Sequence, residues 1–261
     1  MKKRKEFINE LILRAGSLIR KRITEEMSIS EKKGNRSDLV TSVDFEVERF
    51  LVKEISQAFP DDSFLTEEKT IDLKESDHVW IIDPIDGTMN FVYNLRDFAI
   101  SIALYVKGEG RLGFVYDVMA EELIIAEKNG GVTLNNRKLP MIKKEPLSQS
   151  IVDISLKTIR NLKNKNIADF YDLPPYVLSH RNIGSAAIRI SHIALNRDHV
   201  YVSDRLSTWD IAAAIIILEE LGGSHNFQNK DLFYDSRSFF FMGANNQDLY
   251  EEIKEKFFYK K

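Results

Sequence analysis

The run Asp83-Pro84-Ile85-Asp86-Gly87-Thr88 sets two carboxylates three residues apart, directly after the apolar stretch Val79, Trp80, Ile81, Ile82. That stretch reads as a buried strand, and Pro84 with Gly87 predicts that the chain turns as it leaves. Two acids held this close repel each other, and burial raises both pKa values, unless a cation lies between them. Donors that are all oxygen suit a hard ion such as Mg²⁺. Gly87 and Thr88 then leave backbone N–H groups to face an anion, as phosphate-cradling turns do. A cation site beside an anion site points to phosphate ester chemistry.

Other acids stand where a strand or loop gives way to a helix. Asp44 follows Leu39-Val40-Thr41-Ser42-Val43, Glu67 and Glu68 end the segment Ser63 to Thr66, and Asp210 follows Trp209. Singly, each has an ordinary reading. Asp44 serves equally as a helix cap, the glutamate pair as solvated loop charge, and Asp210 as an acid favoured by a helix dipole. Asp83 and Asp86 resist such a reading, because acids behind so apolar a strand must be paired or hold a metal. The five histidines are scattered without metal-ligand spacing, and His78 reads as structural.

Together these residues resemble the inositol monophosphatase family, within the lithium-sensitive, magnesium-dependent sugar phosphatase superfamily. The family signature is an acid, then Glu-Glu, then Asp-Pro-Ile/Leu-Asp-Gly/Ser-Thr, then Trp-Asp and, eleven residues later, Gly-Gly. Here it is Asp44, Glu67-Glu68, Asp83 to Thr88 with Asn90 and Phe91, then Trp209-Asp210, with Ile211 to Leu221 before Gly222-Gly223. The resemblance covers about residues 7–245. It implies an α+β fold, the layered αβαβα arrangement of fructose-1,6-bisphosphatase-like proteins, and a Mg²⁺-dependent phosphomonoesterase using two or three ions. Glu67, Asp83 and the Ile85 carbonyl would hold one ion, Asp83, Asp86 and Asp210 a second, and Glu67 would help a weaker third. Thr88, oriented by Asp44, would take a proton from the attacking water. Asp86, Gly87 and Thr88 would meet the substrate, the last two holding phosphate oxygens through their N–H groups, and Gly184, Ser185 and Ala186 would meet its non-phosphate part. Thr88 also reads as a helix cap, and the Gly184 segment as a tight helix start. Lithium inhibition and a homodimer are further implications of the resemblance.

Two departures bear on specificity. Family members often have Gly before the glutamate pair, where this chain has Thr66, a change in backbone freedom that could tune the weaker metal site. Inositol-selective animal members carry a glutamate seven positions before the last metal aspartate. Here that position is Ser203, with Asp204 and Arg205 beside it. Arg205 could meet a second phosphate or be a solvated surface arginine. Inositol monophosphate is therefore the leading substrate, with fructose 1,6-bisphosphate, NADP or 3′-phosphoadenosine 5′-phosphate as alternatives. A regulatory binding protein is the rival from another class.

The elements that must position these groups are legible in outline. Phe7, Leu11, Ala15, Leu18 and Ile19 predict an opening helix, and Val47, Phe50, Leu51 and Ile55 a second over about 44–58. A polar segment, Ser28 to Ser37, reads as an exposed loop between them. Ser63 to Thr66, Phe98 to Val106, Leu112 to Asp117 and Leu123 to Ala126 read as strands, the last three as an antiparallel meander. In the second half, strands are expected at 151–156, 177–182, 200–203 and 238–242. Helices are expected at 157–169, from Gly184, at 208–221 and at 245–258. Two subdomains, 1–145 and 146–261, are expected to meet near residue 145. With 261 residues and 43% hydrophobic content the chain can bury such a core. The absence of cysteine excludes disulfides and thiolate chemistry. No apolar run is long enough to span a bilayer, and Met1 to Glu10 lacks the apolar core of a secretory signal. A cytoplasmic protein is the simplest reading. A net charge of −3 gives no global attraction for nucleic acid. Lys2-Lys3-Arg4-Lys5 reads as a solvated first helical turn.

Overall fold

The structure, a computed structural model, describes residues 1–25, 28–31, 39–228 and 239–259. The chain opens with α1 (Lys2–Arg22), whose buried Ile8, Leu11, Ile12, Ala15 and Ile19 form one stripe. A short antiparallel pair, β1 (Ile29–Glu31) and β2 (Leu39–Thr41), leads into α2 (Ser42–Ala58). There follow β3 (Ser63–Thr66), β4 (His78–Asp86), α3 (Thr88–Asn94), β5 (Ala99–Val106), β6 (Glu109–Asp117), β7 (Glu122–Glu127), β8 (Gly131–Leu134) and β9 (Arg137–Lys138). The second half runs β10 (Ile151–Ile154), α4 (Leu156–Asn164), β11 (Ser179–Arg181), α5 (Ala186–Ala194), β12 (Val200–Leu206) and α6 (Thr208–Glu220). It closes with β13 (Ser224–His225), β14 (Phe239–Ala244) and α7 (Gln247–Phe257).

Strands β3 to β9 form a seven-stranded sheet in chain order, with β3 parallel to β4 and the rest antiparallel. A five-stranded sheet has the order β11-β10-β12-β14-β13, parallel from β11 to β12 and antiparallel from β12 onward. Side-chain alternation along each strand divides the apolar residues into layers. Trp80 and Ile82 of β4 pack with α1 and α2, whereas Val79 and Ile81 face α5 and α6. Tyr201 and Phe241 of the five-stranded sheet join that same middle layer. Val152, Val200, Val202 and Met242 face the other way, onto Ile159 and Leu162 of α4 and Leu249 and Ile253 of α7. The stack is therefore α1/α2, sheet, α5/α6, sheet, α4/α7, the expected αβαβα architecture.

Helix α6 lies inside this stack, and every residue from Ile211 to Leu218 is buried. Its fit against β6 is close. A Cβ on Gly113 would stand 2.5 Å from the Ala213 carbonyl oxygen, so only glycine lets helix and strand approach this far. Nearby, the Tyr105 hydroxyl donates to the Ala212 carbonyl at 3.1 Å. None of the helices among the described residues is long and apolar enough to cross a membrane.

Several expectations need adjustment. Strand β4 does not end at Ile82 but runs on to Asp86, and the chain turns at Gly87, whose φ is 94°. Helix α3 follows that turn with Gly87 as its N-cap, so Thr88 is its first residue and not the cap, and neither β8 nor the edge strand β9 has a counterpart in the sequence reading. Helix α3 is seven residues long and is held by Phe91, buried edge-on against Phe98 at 5.1 Å, a contact that no local periodicity announces. Helix α4 ends at Asn164, and Asn166 then takes a left-handed φ of 54°. The first turn of α1 is not simply solvated. Arg4 makes a two-pronged bond to the buried Asp62 at 2.9 and 2.7 Å, and Trp80 Nε1 donates to the same carboxylate at 2.9 Å. Residues 28–31 of the polar segment belong partly to β1, while 32–37 lie outside the described residues. Ser238, expected to start the last strand, lies outside them as well.

Candidate active site

Three-residue spacing within a regular strand would send Asp83 and Asp86 to opposite faces. A bulge prevents this. Asp83 pairs with Ser101 and Asp86 with Ala99, so three steps on β4 match two on β5 and the two carboxylates regain one face. That face is the one covered by α5 and α6. Ser101 Oγ reaches the Trp209 carbonyl at 3.4 Å, and the next residue, Asp210, completes the cluster. One carboxylate oxygen from each of Asp83, Asp86 and Asp210 lies within 4.8 Å of the others. Glu67 emerges from β3, where its N–H continues the ladder to the Ile82 carbonyl at 3.2 Å. Its side chain is in hydrogen-bonding contact with Asp83.

Asp44 and Asp210 occupy equivalent places on their helices. Each is the third residue of its helix and closes a capping box, with Thr41 capping α2 and Ser207 capping α6. Asp210 Oδ2 accepts the Ser207 N–H at 2.7 Å. Asp44 Oδ2 accepts the Thr41 N–H at 2.9 Å and its hydroxyl at 2.5 Å, while Oδ1 faces Thr88 Oγ1 at 3.4 Å. Thr88 Oγ1 also lies 3.2 Å from the Ile85 carbonyl. Capping and participation in the site are thus not exclusive, because the cap engages one oxygen of each carboxylate.

Electrostatics follow from burial. Asp83 is pushed well above the ordinary carboxylate range, first by loss of water, then by the charges of Glu67, Asp86 and Asp210 and the bond with Glu67. Asp86 is pushed up to about 6, again chiefly by burial, against the lowering effect of hydrogen bonds from the Ser185 hydroxyl and the Ala187 N–H. Oxygen donors that resist ionising together are what a divalent cation relieves, and the donor set fits a hard ion.

The remaining candidates divide. A Cβ on Gly87 would stand 3.1 Å from Ser185 Cβ and 3.2 Å from the Asp97 carbonyl, so the turn and the start of α5 are pressed together. Asn90 Nδ2 donates to the carbonyls of Asp97 and Ile183, both at 2.8 Å, and staples the loop before α5 onto α3. Ser185 caps α5 through the Ile188 N–H at 3.3 Å and donates to Asp86. Ser185 and Ala186 are buried, and Gly184, at φ 92°, is exposed. Arg205 stands apart on the irregular end of β12, exposed, with a backbone bond to Ser203 Oγ at 3.4 Å and no side-chain partner among the described residues. Sequence reasoning missed Glu48, a fully buried acid on α2 whose carboxylate accepts three hydrogen bonds around Glu67. The available signal was its place one helical turn after Asp44.

The chain is similar to known proteins. The model of the inositol monophosphatase family matches residues 1–256. An inositol-1-monophosphatase of Bacillus subtilis is 37% identical over 222 residues, covering 84% of this chain and 83% of its own. A fructose-1,6-bisphosphatase/inositol-1-monophosphatase of Thermotoga maritima is 33% identical over 230 residues, covering 85% and 84%. Crystal structures of the staphylococcal SaIMPase-II, one bound to inositol monophosphate and one to 2′AMP, each give a TM-score of 0.80 at 31% identity. They cover 97% and 96% of this chain and 93% and 92% of theirs.

Proposed function

Because the chain belongs to the inositol monophosphatase family, and so is a phosphoric monoester hydrolase, we propose that it hydrolyses small phosphorylated polyols with Mg²⁺, inositol monophosphate first among them. The observation that carries this reading is the convergence of Asp83, Asp86 and Asp210 within 4.8 Å, with Glu67 against Asp83 and Thr88 close by. Glu67, Asp83 and the Ile85 carbonyl would hold one ion, Asp83, Asp86 and Asp210 a second, and Glu67 a weaker third. When bound, such ions neutralise phosphate charge and bring the pKa of a coordinated water toward neutrality. The Thr88 hydroxyl, 3.4 Å from Asp44 Oδ1, would accept a proton from the attacking water while passing its own to Asp44. Backbone N–H groups of Gly87 and Thr88 hold phosphate oxygens beside Asp86. Ser185 fixes the Asp86 carboxylate, and Gly184 meets the rest of the substrate.

A second reading, a substrate carrying a further phosphate or a nucleotide, is favoured by Ser203 in place of an inositol-binding glutamate and by the exposed Arg205. The 2′AMP seen in SaIMPase-II and the double name of the Thermotoga relative support it. Lithium inhibition and a homodimer belong to the same proposal, as does a division into subdomains 1–145 and 146–261, the second supplying Asp210. A phosphate-release assay over inositol 1-phosphate, fructose 1,6-bisphosphate, NADP, 2′AMP and 3′-phosphoadenosine 5′-phosphate, with Mg²⁺ or EDTA, decides among the substrates. Turnover is expected to require Mg²⁺ and to vanish in Asp83→Asn. Activity that survives EDTA or that substitution would sink the mechanism.

A further inference from the structure

Glu48 has no exposed surface and lies one helical turn beyond Asp44 on α2. Among the described residues, its carboxylate accepts hydrogen bonds only from the segment that carries Glu67. Thr66 Oγ1 donates to Oε1, the Glu68 N–H to Oε2 and the Thr70 N–H to Oε1, each at 2.8 Å. A carboxylate is an acceptor with no proton of its own to place, so three converging donors suit it and offset the cost of its burial. Glu67 sits between the first two donors. The chain is pinned by a hydroxyl on one side of it and by an amide on the other. The third bond fixes the chain beyond Lys69, which takes a left-handed φ of 54°.

Thr66 supplies the first of these three bonds. Its backbone is ordinary strand, paired with Ile82 of β4, so its contribution here is not conformational freedom. It is the side-chain bond to Glu48, which glycine cannot make. We propose that Glu48 and Thr66 are positioning residues that hold Glu67 against Asp83, and that divalent-cation affinity depends on them although neither is a ligand. Helix α2 thereby serves both halves of the site, with Asp44 reaching Thr88 and Glu48, four residues on, reaching the Glu67 loop.

The inference rests on the Mg²⁺ reading above, and the test separates the two. Mg²⁺ binding to the full-length chain is measured by calorimetry without substrate, for wild type, Thr66→Val, Thr66→Ser and Glu48→Gln. Thr66→Val keeps volume and net charge and removes only the hydroxyl, so it decides the matter even if Glu48→Gln fails to fold. The dissociation constant is expected to rise about tenfold in Thr66→Val and in Glu48→Gln, as for hydrogen bonds that orient metal ligands. Thr66→Ser should restore it, and substrate KM at saturating Mg²⁺ should be unchanged. If Thr66→Val binds Mg²⁺ like wild type, even with a lower melting temperature, the pair is merely structural and the inference is overturned. If wild type itself binds no Mg²⁺, the metal reading falls instead.

Discussion

Asp83 and Asp86 are groups that folding makes costly to ionise, and the cost has a direction that can be measured. A carboxyl whose pKa rises on folding stabilises the fold while protonated. That contribution is complete below the unfolded value of about 4 and is lost as pH climbs through the folded one. For Asp86 the folded value is about 6, and Asp83 is shifted the same way. His192 works in the opposite sense. Burial first, then Arg189 and Arg197, lowers it to about 4, so its contribution is present above about 6.5 and lost as pH falls. A bare melting curve against pH mixes the two. The gain in melting temperature from saturating Mg²⁺ over EDTA removes His192 from the comparison, because the proposed ligands do not include it. That gain is expected to be small near pH 4.5 and to grow as pH rises through about 6, since binding must displace protons. Asp86→Asn should flatten the growth. A gain independent of pH would contradict the assignment of these acids to the cation.

Between elements, one tight constraint against backbone is the contact of β6 with α6 at Gly113. Gly113→Ala would press a methyl group on the Ala213 carbonyl, which belongs to a helix with no open side to retreat to. Overpacking of this kind costs about 1–3 kcal/mol. Because α6 begins with the turn that carries Asp210, thermal melting should fall and Mg²⁺ affinity should weaken together, whereas the same change at the half-buried Gly131 of β8, where an added Cβ meets only the end of the Lys138 side chain, should leave Mg²⁺ affinity intact. How far the elements were legible depended on where their information lies. Helices α1 and α2 announce themselves by spacing, and α6 by its unbroken apolar run from Ile211 to Leu218. Asp83 to Thr88 was conspicuous because its acids are neighbours in the chain. The bulge that turns both acids to one face was not, since it is a relation between β4 and β5 and neither strand contains it alone. Strands β8 and β9, of four and two residues, are too short for alternation to register. Glu48 on a helix reads as a solvated charge until the Glu67 loop folds over it.

Across the whole molecule, the site draws on parts that are remote in the chain and different in kind. Asp83 and Asp86 end a strand of the seven-stranded sheet, whereas Asp210 starts the helix that lies between the two sheets. A cation shared among them ties the sheet to the middle layer, so binding should quiet both at once. Amide exchange in saturating Mg²⁺ is expected to slow in residues 85–91 and in the first turn of α6 together. Slowing confined to one of them would mean that the three acids do not act on a common ion. The position of α6 also sets a problem of order during synthesis. Its eight consecutive apolar residues leave the ribosome before β14 exists to pair with β12 and complete the outer sheet. The strands β4 to β7 and helix α5, already made, can shelter much of the nascent helix, but β13 and β14 join the outer sheet only as translation passes Ala244. A chain halted upstream of Phe239 would lack the strand that completes the outer sheet, and it is expected to aggregate more readily than the full-length chain.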